Sequence, residues 1–376
     1  MTVLGAADAA ALARARELAL HGRGRVSPNP LVGAVILRDG RLIAEGWHEG
    51  PGLPHAEIMA LRAAGTQARG ATLVCTLEPC SHFGRTPPCA PAVIEAGISR
   101  VVVGCLDPLE RTRGRGIRML REAGIDVAVA SGEEGRRSHE LIDAFITHAV
   151  RGRPHVMLKL ASSLDGKVAT RTGESQWITG PEARALVHRL RADHDAVIVG
   201  IGTALADDPQ LTARGIAGPV RQPARVVFDS FARLPLTAAL VRGAEEVPVY
   251  LAVGANAPWD RVTELQNAGV EVVAFPTLRP TVPAVLVALA ERGIQSAFVE
   301  GGAQLAGAFF AADTVDVVRW FLAPMLIGGD QAPGALGGDG VGSLAQAVRL
   351  GDLAVTRVGD DILCAGRLID LPRTED

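Results

Sequence analysis

The chain has 376 residues, of which 48% are apolar and 21% are charged, a composition typical of folded globular proteins. This length predicts two domains, and the composition excludes disordered and fibrous proteins. The net charge of −3 and the aromatic content of 4% argue against a nucleic-acid partner, which would require basic patches or aromatic stacking platforms.

The N-terminal segment predicts a cytoplasmic protein without a membrane partner. It carries Asp8, Arg14 and Glu17 where a signal peptide would have an apolar block, and no stretch reaches the roughly 18 to 20 apolar residues of a membrane span. The cysteines are too few for a disulfide framework in so long a chain and are expected to be metal ligands or buried thiols. They are Cys75, Cys80, Cys89, Cys105 and Cys364.

Residues 1–150 alternate predicted helices and strands. A helix over 8–21 precedes two strands that flank the turn at Asp39-Gly40. The elements that follow are a helix at 56–64, a strand at 72–77, a helix at 90–97, a strand at 100–105, a helix at 116–124, a strand at 125–130 and a helical stretch at 133–150. This alternation predicts a layered α/β domain with a mixed sheet.

A second domain is predicted over residues 151–376, because Gly152 and Pro154 interrupt the helical pattern. Thr179 and Glu182 have the spacing of a capping box, which predicts a helix that runs to about Arg191. Strands are predicted at 155–162, 196–200, 225–229, 247–253, 270–275, 296–300 and 315–323. They indicate a Val-rich sheet covered by helices.

His55, Cys80 and Cys89 form a candidate zinc site. One imidazole and two thiolates suit a tetrahedral zinc ion with a fourth position open to water, the donor set of a catalytic centre. Glu57, two residues after His55, is placed to shuttle protons to and from that water. These residues predict hydrolytic deamination, although the cysteine spacing is longer than the usual Cys-x-x-Cys of zinc deaminases. A structural zinc site is the alternative.

The stretches SPNPLVGAV, HAE and TLEPCSHFGRTPPC resemble the N-terminal half of the bifunctional deaminase/reductases of riboflavin biosynthesis. The resemblance implies a cytidine-deaminase-like fold in which His55, Cys80 and Cys89 hold zinc and Glu57 is catalytic. It also implies a substrate, 2,5-diamino-6-(5-phosphoribosylamino)pyrimidin-4-one, that loses its 2-amino group to water. Arg85, between the two cysteines, is either a contact to the substrate or its phosphate or an ordinary surface arginine.

One segment departs from that family. Asp107-Pro108-Leu109-Glu110 stands where the family usually has Asp-Pro-Asn-Pro. If the family's Asn binds the pyrimidine, Leu109 cannot replace its hydrogen bonds, and the affinity or identity of the deaminase substrate changes. A reductase with an inactive deaminase domain is therefore a further alternative.

Four polar and glycine-rich segments of the second domain are expected at strand ends, where α/β sheets form ligand-binding crevices. Gly301-Gly302 precedes a helical pattern, so that backbone N–H groups there would receive a cofactor phosphate. Ordinary turns are the alternative reading of these glycines. The four segments cover residues 159–166, 173–179, 200–209 and 300–307.

In this order, the four segments resemble the C-terminal half of the same family, which has a dihydrofolate-reductase-like fold and uses NADPH. The residues that the resemblance places along NADPH are Ala161, Trp177, Thr203, Asp207 and the turn formed by Gly302, Ala303, Gln304, Leu305, Ala306, Gly307 and Ala308. The residues that it places against the phosphoribosyl group are Ser175, Arg191, Leu211, Arg214 and Glu300. Asp207 is also the candidate catalytic group beside the opening ribose ring, or else a turn residue. Trp177 either packs beside the nicotinamide or fills the core.

We therefore expect an α/β enzyme with Zn²⁺ and NADPH as cofactors and a small phosphorylated pyrimidine as its partner. It would deaminate the pyrimidine and then reduce the ribosyl chain to give 5-amino-6-(5-phosphoribitylamino)uracil. One alternative is a zinc deaminase for another nucleoside or base with an unrelated nucleotide-binding domain. Another is a structural-zinc protein whose second domain senses a nucleotide. An exposed strand or helix face of the reductase domain would allow a homo-oligomer.

Overall fold

The computed structural model describes residues 2–110, 112–218 and 220–369. The chain divides into two compact units, Met1–Gly152 and Arg153–Asp376. Among the described residues, no helix is both long enough and apolar enough to cross a membrane.

The first unit is built on a five-stranded mixed sheet. Its strands are β1 (Gly33–Arg38), β2 (Arg41–Trp47), β3 (Thr72–Leu77), β4 (Arg100–Cys105) and β5 (Asp126–Val129). They lie in the order β2-β1-β3-β4-β5. β1 is antiparallel to β2 and β3, whereas β3, β4 and β5 run parallel. The predicted layered α/β domain with a mixed sheet is confirmed.

Helices cover both faces of this sheet because its strands are apolar on both sides. The helices are α1 (Ala6–Ala19), α2 (Ala56–Ala64), α3 (Cys89–Glu95), α4 (Arg115–Glu122), α5 (Gly132–Leu141) and α6 (Asp143–Arg151). Leu12 and Leu18 of α1 pack with Val35 and Val74 on one face. The alternate strand residues point to the other face, where they pack with Ala60 and other residues of α2 to α4. The helical stretch predicted at 133–150 is two helices.

A close approach between α2 and β2 fixes the start of α2. A Cβ atom on Gly46 of β2 would lie 2.5 Å from the backbone oxygen of Ala56 and 2.5 Å from the backbone nitrogen of Ala60. Only glycine allows this packing. Because His55 is the N-cap residue of α2, the contact also sets the position of a predicted zinc ligand.

The second unit contains a nine-stranded sheet in the order β10-β9-β8-β7-β11-β6-β12-β14-β13. The strands are β6 (His155–Ser163), β7 (Ala196–Gly200), β8 (Ala224–Phe228), β9 (Val249–Val253), β10 (Glu271–Ala274), β11 (Ser296–Val299), β12 (Val317–Ala323), β13 (Leu350–Val358) and β14 (Asp361–Leu368). The strands from β10 to β12 in this order are parallel, and β14 and β13 form an antiparallel hairpin at one edge. Parallel strand ends therefore gather at one edge of the sheet.

Two helical layers bury the faces of this second sheet. The helices are α7 (Pro181–Ala192), α8 (Ile201–Asp207), α9 (Ala239–Arg242), α10 (Trp259–Asn267), α11 (Val282–Glu291) and α12 (Ala303–Ala311). Val197 and Phe298 face the layer of α7 to α10, and Ile198 and Val299 face α11 and α12. The predicted capping box before α7 is wrong. Gly180, not Thr179, is the N-cap residue of α7, and glycine has no side chain that could accept from the N–H groups of the first turn; no other side chain in the described part of the chain caps this helix.

Candidate functional site

The three predicted zinc ligands converge in the first unit. His55 begins α2, Cys80 follows β3, and Cys89 is the first residue of α3. Their ligand atoms all lie within 4.8 Å of one another. His55 Nδ1 is 3.5 Å from Cys80 Sγ and 3.3 Å from Cys89 Sγ. A tetrahedral zinc with bonds of about 2.3 Å to sulfur and about 2.0 Å to nitrogen separates these atoms by about 3.5 Å, so the donor set fits zinc.

Hydrogen bonds join Cys80, in the segment after β3, to the start of α3 at Cys89. The backbone N–H of Cys89 donates to Cys80 Sγ at 3.3 Å, and the N–H of Ala90 donates to the Cys80 carbonyl at 3.0 Å. Hydrogen bonding from Cys89, aided by His55, lowers the pKa of the Cys80 thiol against the opposing effect of burial. The Cys80 sulfur and burial both raise the pKa of Cys89. Cys80 therefore has the thiolate character that a metal ligand needs.

Glu57 lies in the first turn of α2 with only 3% of its surface exposed. Burial raises the pKa of its carboxyl group to about 7, and the negative charge of Cys80 contributes to the rise. A carboxyl group with this pKa can both accept and release a proton near neutral pH. The role of Glu57 as a proton shuttle stays a prediction.

Three further polar residues around His55 were missed by sequence reasoning. The hydroxyl oxygen of Thr86 lies 3.1 Å from His55 Nε2. His48 is buried, its ring lies 5.4 Å from the ring of His55, and its Nε2 is 2.9 Å from Asn29 Nδ2. Asn29 and Thr86 both lie inside the stretches SPNPLVGAV and TLEPCSHFGRTPPC, which was the available signal.

Glu78 is a fourth residue that the sequence pattern did not single out. Its side chain is 5% exposed, and its carboxylate accepts hydrogen bonds from the backbone N–H groups of Asp107, Gly114 and Gly116 at 3.3, 2.9 and 3.0 Å. These groups belong to the segment after β4 and to the start of α4. Glu78 therefore ties the zinc-ligand segment to the loop that contains Leu109.

Arg85 and Leu109 lie in the two loops that flank the candidate zinc site. Arg85 is exposed in the loop between the two cysteines, as is Phe83, whose exposed fraction is 80%. Leu109 is half-buried, and its backbone N–H donates to Asp107 Oδ1 at 2.8 Å. The contact predicted for Arg85 stays a prediction.

In the second unit, Arg191 and Glu300 form an ion pair in which Arg191 Nε lies 2.8 Å from Glu300 Oε1. The two side chains are 15% and 6% exposed. Arg191 also donates to the Thr212 carbonyl at 3.1 Å. Lys159 lies close enough for Glu300 to raise and Arg191 to lower its pKa, but burial is the largest effect and the pKa is lowered overall. The predicted residues Arg191 and Glu300 are therefore brought together, with Lys159 beside them.

Three other predicted substrate residues differ in accessibility. Arg214 and Ser175 are exposed, and Arg214 donates to Gln210 Oε1 at 3.3 Å. Leu211 is only 2% exposed and its side chain packs in the apolar core of this unit. Because its side chain is needed in the core, Leu211 can reach a ligand only through its backbone.

The predicted phosphate-binding turn at Gly302–Ala308 is the beginning of a helix. Gly302 is the N-cap residue of α12, and Leu305 and Ala306 are buried beneath it. The N–H of Gly302 donates to Thr203 Oγ1 at 3.2 Å, and among the described residues a Cβ on Gly302 would meet only that oxygen, at 3.7 Å. Thr203 lies in α8, which follows β7, the neighbour of β11. Two glycine-capped helix starts thus lie side by side and fit an anionic cofactor.

The remaining predicted NADPH-binding residues are Asp207, Trp177 and Ala161. Asp207 ends α8, is exposed, and accepts a hydrogen bond from Gln176 Nε2 at 2.9 Å. Trp177 is 67% exposed and lies under the guanidinium carbon of Arg184, 4.7 Å from the ring centroid. The alternative that Trp177 fills the core is wrong. Ala161 is half-buried in β6.

Comparisons with known proteins agree with this two-part arrangement. Residues 6–105 match the family model of the cytidine and deoxycytidylate deaminase zinc-binding region, and residues 154–364 match that of the RibD C-terminal domain. The riboflavin biosynthesis protein RibD of Bacillus amyloliquefaciens is 43% identical over 92% of each chain. RibD of Escherichia coli is 39% identical over 93% of this chain and 96% of its own.

Two solved structures cover nearly the whole chain. RibD of Acinetobacter baumannii aligns with a TM-score of 0.86 at 39% identity, covering 96% of this chain and 99% of its own. A Thermotoga maritima protein described as a diaminohydroxyphosphoribosylaminopyrimidine deaminase/5-amino-6-(5-phosphoribosylamino)uracil reductase aligns with a TM-score of 0.83 at 36% identity over the same fractions. The predicted cytidine-deaminase-like and dihydrofolate-reductase-like domains are confirmed. The chain belongs to the RibD family of bifunctional deaminase/reductases of riboflavin biosynthesis.

Proposed function

We propose that the first unit deaminates 2,5-diamino-6-(5-phosphoribosylamino)pyrimidin-4-one at C2. The second unit then reduces the ribosyl chain with NADPH to give 5-amino-6-(5-phosphoribitylamino)uracil. The observation that carries the proposal is the convergence of His55, Cys80 and Cys89 beside the buried carboxyl group of Glu57. The description of the Thermotoga relative supports the same substrates.

In the first unit, His55, Cys80 and Cys89 would hold zinc, which when bound supplies the Lewis acidity that makes a water molecule nucleophilic near neutral pH. Glu57 takes a proton from this water as the oxygen attacks C2. The same carboxyl group then delivers a proton to the 2-amino group, the C2–N bond breaks, and ammonia leaves. Glu57, buried in the first turn of α2 beside the three candidate ligands, is the group placed for both transfers.

In the second unit, the starts of α8 and α12 would receive the phosphates of NADPH through the Thr203 hydroxyl and the N–H groups of the first turn of α12, since the Gly302 N–H already donates to Thr203. NADPH, when bound, supplies the hydride that reduces C1′ of the opened ribosylamine. Trp177 and Ala161 would line the cofactor, and Asp207 would lie beside the opening ring. These roles rest on the exposure of Trp177, Asp207 and Gly302 and on their resemblance to the family pattern.

Arg214 is the proposed phosphate contact of the substrate, since its guanidinium group is exposed. Arg191 is neutralised by Glu300, so this pair would orient the sugar through directed hydrogen bonds more than through net charge. Ser175 and the backbone of Leu211 would complete the contacts. Arg85 would play the corresponding part at the first site. We also infer that the protein is cytoplasmic. We further infer a homo-oligomer that forms through the reductase unit, and light scattering would measure its mass.

Glu57→Gln tests the proposal, because the amide keeps the shape of the side chain but cannot shuttle a proton. Ammonia release from the diaminopyrimidine should fall by about 10²- to 10⁴-fold while zinc content is unchanged. NADPH oxidation with that substrate should fall equally, and oxidation with the already deaminated substrate should match wild type. Glu49→Gln, at an exposed position of the same unit, is the control. Undiminished NADPH oxidation by Glu57→Gln with the diaminopyrimidine would contradict the sequential scheme.

A further inference from the structure

We propose that Thr86 is a positioning residue that orients the zinc ligand His55 through the ring nitrogen that faces away from the metal. The inference deepens the proposed function and rests on its zinc site. It concerns a side chain in the loop between the two ligand cysteines that neither the residue pattern nor the resemblance singled out.

The two nitrogens of His55 face different partners. Nδ1 points to the sulfur atoms of Cys80 and Cys89, at 3.5 and 3.3 Å. Nε2 points to Thr86 Oγ1, at 3.1 Å. The metal-binding nitrogen is therefore Nδ1, and Nε2 is left with a single described side-chain partner.

This division fixes the tautomer of His55 in the zinc-bound protein. A neutral imidazole that binds a metal through Nδ1 carries its hydrogen on Nε2. Nε2–H must then donate, and the Thr86 hydroxyl oxygen accepts. Partners of this kind hold the ring plane, increase the basicity of the ligand nitrogen, and typically change metal affinity by about 10- to 100-fold when removed.

The chain around Thr86 holds its hydroxyl in place. Pro87 and Pro88 follow it, and each proline ring restricts the backbone. Pro88 is the N-cap residue of α3, and Cys89 is the first helical residue. The Thr86 carbonyl accepts a hydrogen bond from Gly84 N–H at 3.3 Å. One short segment thus positions both a zinc ligand and the side chain that orients a second ligand.

A matched pair of variants tests this inference. Thr86→Val keeps the shape of the side chain but removes the acceptor, whereas Thr86→Ser keeps the acceptor. Competition with a colorimetric zinc chelator should show a zinc dissociation constant about 10- to 100-fold larger in Thr86→Val and within about threefold of wild type in Thr86→Ser. Equal affinity in Thr86→Val and wild type would overturn the inference. So would an equal loss in both variants, because the hydroxyl group would then not be the cause.

A second measurement needs no variant. In zinc-loaded protein labelled with ¹⁵N-histidine, the His55 resonance should show a proton on Nε2 and a metal-bound Nδ1. The opposite tautomer would overturn the inference. If the wild-type protein takes up no zinc at all, the proposed deaminase centre fails instead, so the two failures are distinguishable.

Discussion

The two candidate sites are assembled in different ways. In the first unit, three ligand atoms from the starts of two helices and the end of a strand already lie within 4.8 Å of one another, beside a carboxyl group that is 3% exposed. In the second unit, the predicted cofactor residues are spread over four segments, and Trp177 and Gly302 are exposed. A small ion requires converging buried ligands, whereas a long anionic cofactor requires an open surface with backbone donors.

A metal site with converging ligands can be recognised from atomic distances alone, whereas an open cofactor site cannot. The zinc site has a fixed geometry that can be compared with expected bond lengths, and Gly46, Glu78 and Thr86 each constrain it through a short contact. Among the described residues, the predicted reductase site combines the little-exposed ion pair of Arg191 with Glu300 and other groups that range from exposed to fully buried. If the sites are independent, a change in one should leave the chemistry of the other untouched.

The largest effect is expected for Cys89→Ser, which removes one of the three zinc ligands. Zinc content should fall well below one per chain, and ammonia release should drop by at least about 10³-fold because the Lewis acid is lost. NADPH oxidation with the deaminated substrate should be unchanged, as measured spectrophotometrically. Cys364→Ser, at a half-buried thiol in β14, is the control and should retain both activities. A simultaneous loss of both activities in Cys89→Ser would show that the sites are coupled.

An intermediate effect is expected from acid on the second unit. Burial lowers the pKa of His155 in β6 to about 4, against an ordinary value of 6.5. As the pH falls from 6.5 to 4, His155 becomes protonated in the unfolded chain but stays neutral in the folded chain. The free energy of unfolding therefore decreases over this window, by about 3 kcal/mol at most. Hydrogen exchange of the β6 amides in the full chain should report the loss.

The variant His155→Phe should show a shallower dependence of β6 protection on pH than wild type, since the titrating group is gone. The first unit serves as an internal reference, because β3 contains no histidine. Identical pH profiles of β6 in both proteins would assign the acid sensitivity to other groups, such as Asp316, whose pKa is lowered by its bond to Arg153 although burial opposes this.

The smallest effect is expected at Gly302, where a methyl group would enter the proposed phosphate position without disturbing the fold. Gly302→Ala should raise the KM for NADPH by about tenfold, or about 1.4 kcal/mol, with an unchanged Tm. Gly307→Ala is the matched contrast, since its Cβ would lie 2.0 Å from the Gly337 carbonyl oxygen and should lower the Tm. An unchanged KM in Gly302→Ala would place the cofactor phosphates elsewhere.

Much of the fold could be predicted because buried strands and helices have regular patterns of apolar residues. The strands Thr72–Leu77 and Arg100–Cys105 were predicted to the residue, since both faces of each are apolar. Helix Ile201–Asp207 was missed because its small residues and flanking glycine resemble a turn. The helical stretch after residue 132 was predicted as one element. No glycine or proline marks the break between the two helices, which falls at the buried residue Ile142.

The convergence of the candidate zinc ligands His55, Cys80 and Cys89 could be predicted, because these residue types in this pattern are typical of a zinc site. The contacts of Glu78 could not, since they join backbone N–H groups about 30 to 40 positions away that have no sequence signature. The resemblance predicts Leu211 as a substrate contact, but neither its burial nor its positive φ of 55° has a signal in the sequence. Long-range backbone geometry was the missing information in both cases.

The loop between Cys80 and Cys89 has a consequence for chain entropy. Eight residues lie between two ligands that would share one ion, so closing this tether costs only about 2 kcal/mol beyond a constant term. Each added residue raises that amount very little. The segment can therefore lengthen or vary at His82 and Phe83, which are both exposed and precede the Gly84–Thr86 hydrogen bond, with little added entropic cost of closing the loop.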